Sequence, residues 1–233
     1  MIPLRDANPA HGRPYLTWAI VAANVLVFLY MGSIGDFFTL LGFVADFGFV
    51  PAEFVRSPGD SLLSLFTSLF LHGGWAHLLS NMVFLVVFGD NVEDRFGRVG
   101  FLFFYLLGGA VATLTHTLFA GPSPVPLVGA SGAISAVLGA YIALFPRQQV
   151  LTFVPPLFLP WLALSLLARV PRFFLFWLPA WVFIGYWALL QLLEAGASLR
   201  LPAGEGGVAW WAHVGGFVFG LVWTNVVARG RRR

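Results

Sequence analysis

The feature that most strongly limits the fold of this chain is a series of apolar stretches. Charged residues, or proline and glycine, separate one stretch from the next. A helix needs about 20 apolar residues to cross the hydrocarbon core of a bilayer, and several of these stretches approach that length. Of the 233 residues, 59% are hydrophobic and only 10% are charged. A soluble domain usually carries about 25% charged residues. Because so few charges cannot cover a globule in water, the sequence predicts an integral membrane protein.

Six spans are predicted, joined mostly by short connections that favour a single polytopic membrane domain over residues 1–233. We expect them at about 15–31, 73–92, 99–119, 130–145, 173–194 and 208–228.

Three segments lie outside these spans. A polar, proline-containing segment (1–14) precedes the first span, and the long first loop (32–70) contains pieces such as 61–71 that we expect at the membrane interface. Residues 150–170 are apolar but contain three prolines, which interrupt a helix. We therefore expect a re-entrant or interfacial segment there rather than a seventh span.

The distribution of arginine predicts the orientation, because arginine supplies all 13 basic residues. With six spans, only Arg56 and Arg200 fall on one side, and the other 11 lie on the side of the two termini. Basic residues favour the cytoplasmic side, so both termini, including the basic tail 229–233, are expected there. No small-residue cleavage site follows the first apolar run, so we do not expect a cleaved signal peptide. The compact six-span form and the lack of a targeting peptide favour a prokaryotic plasma (inner) membrane. The arginines form no stripe with interleaved aromatics, which argues against nucleic acid as a partner.

Five polar side chains in or beside the predicted spans are candidates for chemistry, since polar groups in lipid are costly unless satisfied or used. They lie near the starts of the second, fourth and sixth spans: His72, His77, Asn81, Ser131 and His213. Even-numbered spans all begin on the outer side in this topology. All five side chains are therefore expected at a similar depth in the outer half of the bilayer.

Ser131 lies in Gly-Ala-Ser-Gly at 129–132, where the chain enters the fourth span. The flanking glycines permit a tight turn and a close backbone approach. A helix N-terminus also offers free backbone N–H groups, which are the donors that an oxyanion needs. The helix that follows would be only about 22 Å long, so Ser131 is expected below the membrane surface in a cavity that admits water. An ordinary helix cap is the alternative.

His213 shares a helix face with Gly216 and Gly220, small residues that let another helix approach closely. The fourth span offers a matching small face: Gly132, Ser135, Ala136, Gly139, Ala140 and Ala143. Packing of the two faces would bring the imidazole within reach of Ser131, and histidine is the usual base for a serine nucleophile. A histidine satisfied by a carbonyl or by water is the alternative.

His77 and Asn81 lie four residues apart and share one face of the second span, where both can donate hydrogen bonds into a cavity. Helix–helix hydrogen bonding is one alternative, and metal or haem ligation by the histidines is another. Metal is disfavoured because no HExxH motif, acidic ligand cluster or cysteine accompanies them. Glu93, Asp94 and Arg95 lie at the opposite end of this span and are expected to form a structural cap or ion-pair cluster.

Together these motifs resemble the signature of the rhomboid family of intramembrane serine proteases. The matching runs are HGGWAHLLSN at 72–81, GDNVEDRFG at 89–97, GASG at 129–132, and AHVGG with Gly220 at 212–220. They occur in the rhomboid order, and the resemblance covers about residues 60–225. It implies an all-α, six-transmembrane-helix rhomboid-like bundle that cleaves peptide bonds in or near transmembrane segments of other membrane proteins, without a metal or cofactor.

The resemblance also assigns roles to individual residues. It implies a Ser131–His213 catalytic dyad, with the oxyanion held by the Ser131 N–H and the side chains of His77 and Asn81. His72 would be a supporting polar residue in the water-filled cavity. Four glycines would support the cavity and the close helix packing: Gly129, Gly132, Gly216 and Gly220.

Two features of the sequence depart from the family pattern. Ser135 stands where the family often has a tyrosine, so no ring from that position can stack on His213. Leu63 and Ser64 stand where the first loop often has Trp-Arg. A catalytically silent rhomboid-like protein that binds or escorts membrane clients therefore stays an alternative. A small transporter, a channel or a haem-binding membrane protein are further alternatives from other classes.

Overall fold

The computed structural model of the protein describes residues 1–154, 174–200 and 207–230, with the side chains of the last helix described as far as residue 226. The helices in these ranges are α1 (Tyr15–Ser33), α2 (Phe37–Phe47), α3 (Pro51–Arg56), α4 (Ser64–Thr67), α5 (Trp75–Phe96), α6 (Arg98–Ala120), α7 (Ser131–Leu144), α8 (Ala180–Ser198) and α9 (Trp210–Gly230). A 3-10 turn (Ser68–Phe70) follows α4, and the strands are β1 (Ile2–Asp6), β2 (Gln149–Phe153) and β3 (Leu175–Pro179).

Several of these helices are long and apolar enough to cross a membrane. By length and composition, four helices in the described ranges qualify, namely α1, α5, α6 and α8. Helix α7 is apolar but has only 14 residues, and α9 has 21. The protein is therefore a helical, multi-pass membrane protein, and the count of six spans stays a prediction.

The fifth predicted span is displaced in the structure. It was expected at 173–194, but α8 begins at Ala180 and ends at Ser198, and the five residues before it form β3. The physical reason is Pro179, because the residue before a proline is pushed out of the helical region and into an extended conformation. Part of the segment expected to be re-entrant or interfacial (150–170) forms β2 instead, and residues 155–170 lie outside the described residues.

A three-stranded antiparallel sheet, which the sequence did not predict, forms at one end of the bundle in the order β1-β2-β3. Ile2 pairs with Phe153 and Gln149 pairs with Pro179. Asp6 ties the sheet to the helices, because its carboxylate accepts from the Tyr141 hydroxyl at 2.5 Å and from the Asn91 amide at 3.1 Å. Burial, with a smaller contribution from the nearby charge of Asp90, raises the pKa of Asp6 to about 6. This end of the molecule is called the sheet end below.

Glu93 and Asp94 fix the chain where it enters α1, also at the sheet end. The Glu93 carboxylate accepts from the backbone N–H of Leu16 at 3.0 Å and of Thr17 at 2.7 Å. It also accepts from the Thr17 hydroxyl at 2.8 Å, while Asp94 accepts from the backbone N–H of Gly12 at 3.0 Å. A carboxylate at this position satisfies the free N–H groups of the first helical turn and complements the helix dipole. The expectation of a structural cap is confirmed.

Helix α7 forms the centre of the bundle, and every residue from Gly132 to Tyr141 in it is buried. Its small face lies directly against α9. A Cβ on Gly139 would land on the Phe217 carbonyl oxygen, and a Cβ on Gly220 would land on that of Ala136. Because glycine has no side chain, the two backbones touch here, and this contact places the first turns of α7 and α9 side by side.

Candidate active site

A cavity of about 770 Å³ lies at the end of the bundle opposite the sheet end. Its wall is formed by residues of α5, α7, α8 and α9 and by the loops that lead into them. Four of the five predicted candidates line it: His77, Asn81, Ser131 and His213. The structure therefore brings together side chains that are separated by more than a hundred residues in sequence.

Ser131 is the first residue of α7, and the turn before it depends on a glycine. Gly129 has a φ of 120°, in the left-handed region that favours glycine. A Cβ at this position would lie 2.6 Å from Nε2 of His77. The Gly129 N–H donates to the carbonyl of Ser68 at 2.9 Å, which fixes the turn to the segment before α5. The backbone N–H groups of the first turn of α7 have no partner within the helix, and Ser131 is the first residue of that turn.

The hydroxyl of Ser131 meets the imidazole of His213. The distance from Ser131 Oγ to His213 Nε2 is 2.9 Å, within hydrogen-bonding range. His213 lies in the first turn of α9, one turn before Gly216, and a Cβ on Gly216 would land on the Gly132 carbonyl oxygen. The close approach of α7 and α9 is therefore what sets this distance.

Gln191 completes the contacts of His213, and the sequence analysis missed it. The distance from His213 Nδ1 to Gln191 Oε1 is 2.7 Å, and Gln191 is buried on α8 with 8% of its surface exposed. Its amide nitrogen donates to the carbonyl of Trp187 at 3.3 Å. A glutamine inside an apolar span is a signal of the same kind as the histidines. Applied to the fifth span, the rule that polar groups in lipid are costly unless used indicates Gln191 as well.

Aromatic rings surround His213, although Ser135 supplies none. The ring centroid of Trp187 lies 6.1 Å from that of His213, and the Trp210 ring lies edge-on at 5.9 Å. Ser135 is buried, and its hydroxyl donates to the Ser131 carbonyl at 2.6 Å. Ser135 also lies against Gly216, so a small residue at this position is compatible with the close packing of α9.

His72 lies behind the cavity wall rather than on it. It is 1% exposed, and its Nε2 lies 3.0 Å from the amide nitrogen of Asn81. Its ring meets that of His77 edge-on, with centroids 4.9 Å apart. His72 therefore contacts the cavity through Asn81, and its supporting role stays a prediction. The residue is buried because it leads from the 3-10 turn into α5, beneath the side chain of Asn81.

The remaining expected positions have packing contacts. A Cβ on Gly132 would lie 2.7 Å from that of Ala112 on α6, so Gly132 serves helix packing rather than the cavity wall. Leu63, which departs from the family pattern, is 68% exposed just before α4. Within the described ranges, no three histidine or acidic side chains come together as a metal-binding group.

Comparison with known proteins establishes the family. Residues 59–230 match the sequence model of the Rhomboid domain, and the chain belongs to the rhomboid family. Similar proteins include "Rhomboid protease GluP" of Bacillus subtilis, which is 34% identical over 146 residues, or 60% of this chain and 27% of that protein. "RHOMBOID-like protein 1" of Arabidopsis thaliana is 32% identical over 59% of this chain and 43% of its own length.

A third relative aligns over almost the whole chain. "Rhomboid protein 1, mitochondrial" of Saccharomyces cerevisiae is 26% identical over 94% of this chain and 56% of that protein. The chain thus spans from about a quarter to just over half of the length of these three relatives.

Proposed function

We propose that the protein is an intramembrane serine endopeptidase, with Ser131 as the nucleophile and His213 as the general base. The observation that carries the proposal is the 2.9 Å contact between Ser131 Oγ and His213 Nε2 on the wall of the cavity. A serine hydroxyl is a weak nucleophile unless a base removes its proton during attack. A similar protein from Bacillus subtilis is named a protease, which also supports this activity.

The reaction is a two-step acyl transfer. His213 Nε2 accepts the hydroxyl proton as Ser131 Oγ attacks the scissile carbonyl, and the resulting imidazolium then gives that proton to the leaving amine. Water enters the cavity and hydrolyses the acyl-enzyme, with His213 again acting as base. The oxyanion accepts hydrogen bonds from the Ser131 backbone N–H and from the side chains of His77 and Asn81.

The substrate class follows from where the site lies. The cavity is surrounded by apolar helices, so its substrates are transmembrane segments of other membrane proteins, or chain close to them, that unwind into the cavity from the lipid side. The peptide bond must leave its helix before a nucleophile can reach it, since a helical carbonyl is held by its own backbone hydrogen bond. On the arginine distribution, we place both termini and the sheet end in the cytoplasm. The proposal also includes six spans in one membrane domain, in the plasma membrane of a prokaryotic cell.

Labelling with a fluorophosphonate probe tests the proposal, because such probes react covalently with activated serines. We expect purified wild type in detergent to be labelled, and Ser131→Ala and His213→Ala to lose at least about 10³-fold of the labelling rate. Ser80→Ala is the matched control: Ser80 lines the same cavity, but its hydroxyl donates to the His77 carbonyl of its own helix at 3.0 Å. This variant should be labelled like wild type.

Two results would overturn the assignment. Equal labelling of Ser131→Ala would place the reactive serine elsewhere. A well-folded wild type that is not labelled would instead favour a rhomboid-like protein that binds or escorts membrane clients.

A further inference from the structure

We infer that Gln191 is a positioning residue that holds His213 in the tautomer required of a general base. The inference rests on the proposed function of the Ser131–His213 pair and extends it to a residue on a third helix. Gln191 belongs to α8, whereas Ser131 begins α7 and His213 belongs to α9.

The orientation of the Gln191 amide is fixed by a second partner. Its nitrogen faces the backbone carbonyl of Trp187 at 3.3 Å, and a carbonyl can only accept. The –NH₂ group must therefore be on that side, and the amide oxygen must face His213, where the distance to Nδ1 is 2.7 Å.

The tautomer of His213 follows from this orientation. An amide oxygen can only accept, so Nδ1 of His213 must carry a hydrogen. A neutral imidazole with a hydrogen on Nδ1 has its lone pair on Nε2, and Nε2 is the atom that faces the Ser131 hydroxyl. The other tautomer would place two acceptors face to face at Nδ1 and would leave Nε2 unable to take the serine proton.

An amide suits this position because it directs the proton without adding a charge. Gln191 is 8% exposed, and an ionised group at that depth would be costly without a partner. Among the described residues, the titratable groups that act on His213 from the neighbouring elements are His77 of α5 and His116 of α6, and neither is a carboxylate. In this part of the chain the Gln191 amide is the group that contacts Nδ1 of the ring.

Three variants separate positioning from packing. Gln191→Met keeps the approximate volume and removes both polar groups. Gln191→Glu keeps an acceptor oxygen at the same reach, adds a charge that stabilises the imidazolium, and loses the hydrogen bond to the Trp187 carbonyl. Leu192→Met, at the neighbouring position with 52% exposure, is the control for a similar change on the outer surface of α8.

We expect the variants to separate in kinetics and in pH dependence. Gln191→Met should lower kcat about 10- to 100-fold with little change in KM, because orientation of the base matters in the transition state more than in substrate binding. Gln191→Glu should recover much of that loss, and the acidic limb of its pH profile should move to higher pH by about one unit. Leu192→Met should behave as wild type.

Nitrogen NMR of the histidine ring gives a readout that needs no catalysis. With ¹⁵N-histidine and His213→Ala for assignment, wild type should show His213 with a protonated Nδ1 and a bare Nε2. Gln191→Met should lose this single tautomer and show a mixture or the opposite form.

The outcomes distinguish the two proposals. A single Nδ1–H tautomer that depends on Gln191, in a protein that no serine probe labels, would sustain this inference and refute the proposed function. Labelled wild type with the same His213 spectrum and the same kcat in Gln191→Met would refute the inference alone. Equal losses in Gln191→Met and Gln191→Glu, with an unshifted pH profile, would reduce Gln191 to a packing residue.

Discussion

Replacing Gly220 by alanine tests whether the contact between α7 and α9 sets the geometry of the site. The added Cβ would lie 2.8 Å from the carbonyl carbon of Ala136 and 3.0 Å from its Cα. Carbon atoms in ordinary contact lie about 3.5–4.0 Å apart. The nearest obstacle is the carbonyl oxygen of Ala136, which is backbone and cannot rotate away. The helices would therefore have to separate by more than about 1 Å to relieve the clash.

That separation would affect stability and activity together. If it is transmitted along α9, the Ser131–His213 distance of 2.9 Å would grow to about 4 Å, too long for a hydrogen bond. Overpacking of this kind costs about 1–3 kcal/mol. We therefore expect Gly220→Ala to lose stability and also to lose at least about 10-fold in the rate of fluorophosphonate labelling.

Gly185→Ala is the matched control for this experiment. Gly185 also lies inside a long apolar helix, α8, but a Cβ there would meet nothing within 4 Å. Alanine at such a position is expected to be neutral or to stabilise by about 0.5–1 kcal/mol. The difference between the two variants, measured by unfolding in denaturing detergent, isolates the clash. A Gly220→Ala protein as stable as Gly185→Ala, and labelled at the wild-type rate, would refute the reasoning.

Three further predictions concern single side chains. Asn81→Ala should lower kcat about 10²-fold with little change in KM in a cleavage assay, because one oxyanion donor is lost; an unchanged kcat would exclude that role. Glu93→Gln should lower the free energy of unfolding by about 1–3 kcal/mol, since buried N–H groups of α1 lose a charged acceptor, and should leave the labelling rate of the folded protein unchanged. Asp6→Asn should become increasingly more stable than wild type between pH 5 and 7. The raised pKa of Asp6, about 6, means that the folded state favours the protonated carboxyl, so its stabilisation is complete below about pH 4 and is lost as the pH rises through 6. Solvent screening at this half-buried site limits the effect to about 1–2 kcal/mol, and thermal melts of both proteins across this range that stay parallel would contradict it.

Much of the fold could be predicted because charge and proline mark the ends of the apolar stretches. Helix α1 begins at Tyr15 and α6 ends at Ala120, each within a residue of the expected position. Helix α7 is predicted as well as the longer helices, because Gly129 and Pro146 bracket it.

The sheet could not be predicted by the same reasoning. Its strands have only five residues each, and β1 pairs with a segment about 150 residues away. Nothing local in Ile2–Asp6 specifies that partner. The apolar residues of β3 precede α8 directly, so their sequence looks like the start of a span. Two features keep them out of the helix: their pairing with β2, and Pro179 at the helix start.

The candidate site could be predicted in its residues but not in its geometry. Ser131 and His213 were found because serine and histidine are conspicuous among apolar residues, and the small faces of their helices predicted contact. The structure adds the distances, the position of His72 behind Asn81, and Gln191. The starts of the even-numbered spans do not indicate Gln191, because this residue lies within the fifth span.

Cleavage in a reconstituted bilayer tests the central claim most directly. Wild type, Ser131→Ala and His213→Ala would be placed separately in liposomes with a protein that carries a single transmembrane segment, and the products identified by mass spectrometry. We expect wild type to cut the substrate in or near that segment and neither variant to do so. Identical fragments from all three proteins, or an intact substrate after prolonged incubation with wild type that the serine probe labels, would contradict it.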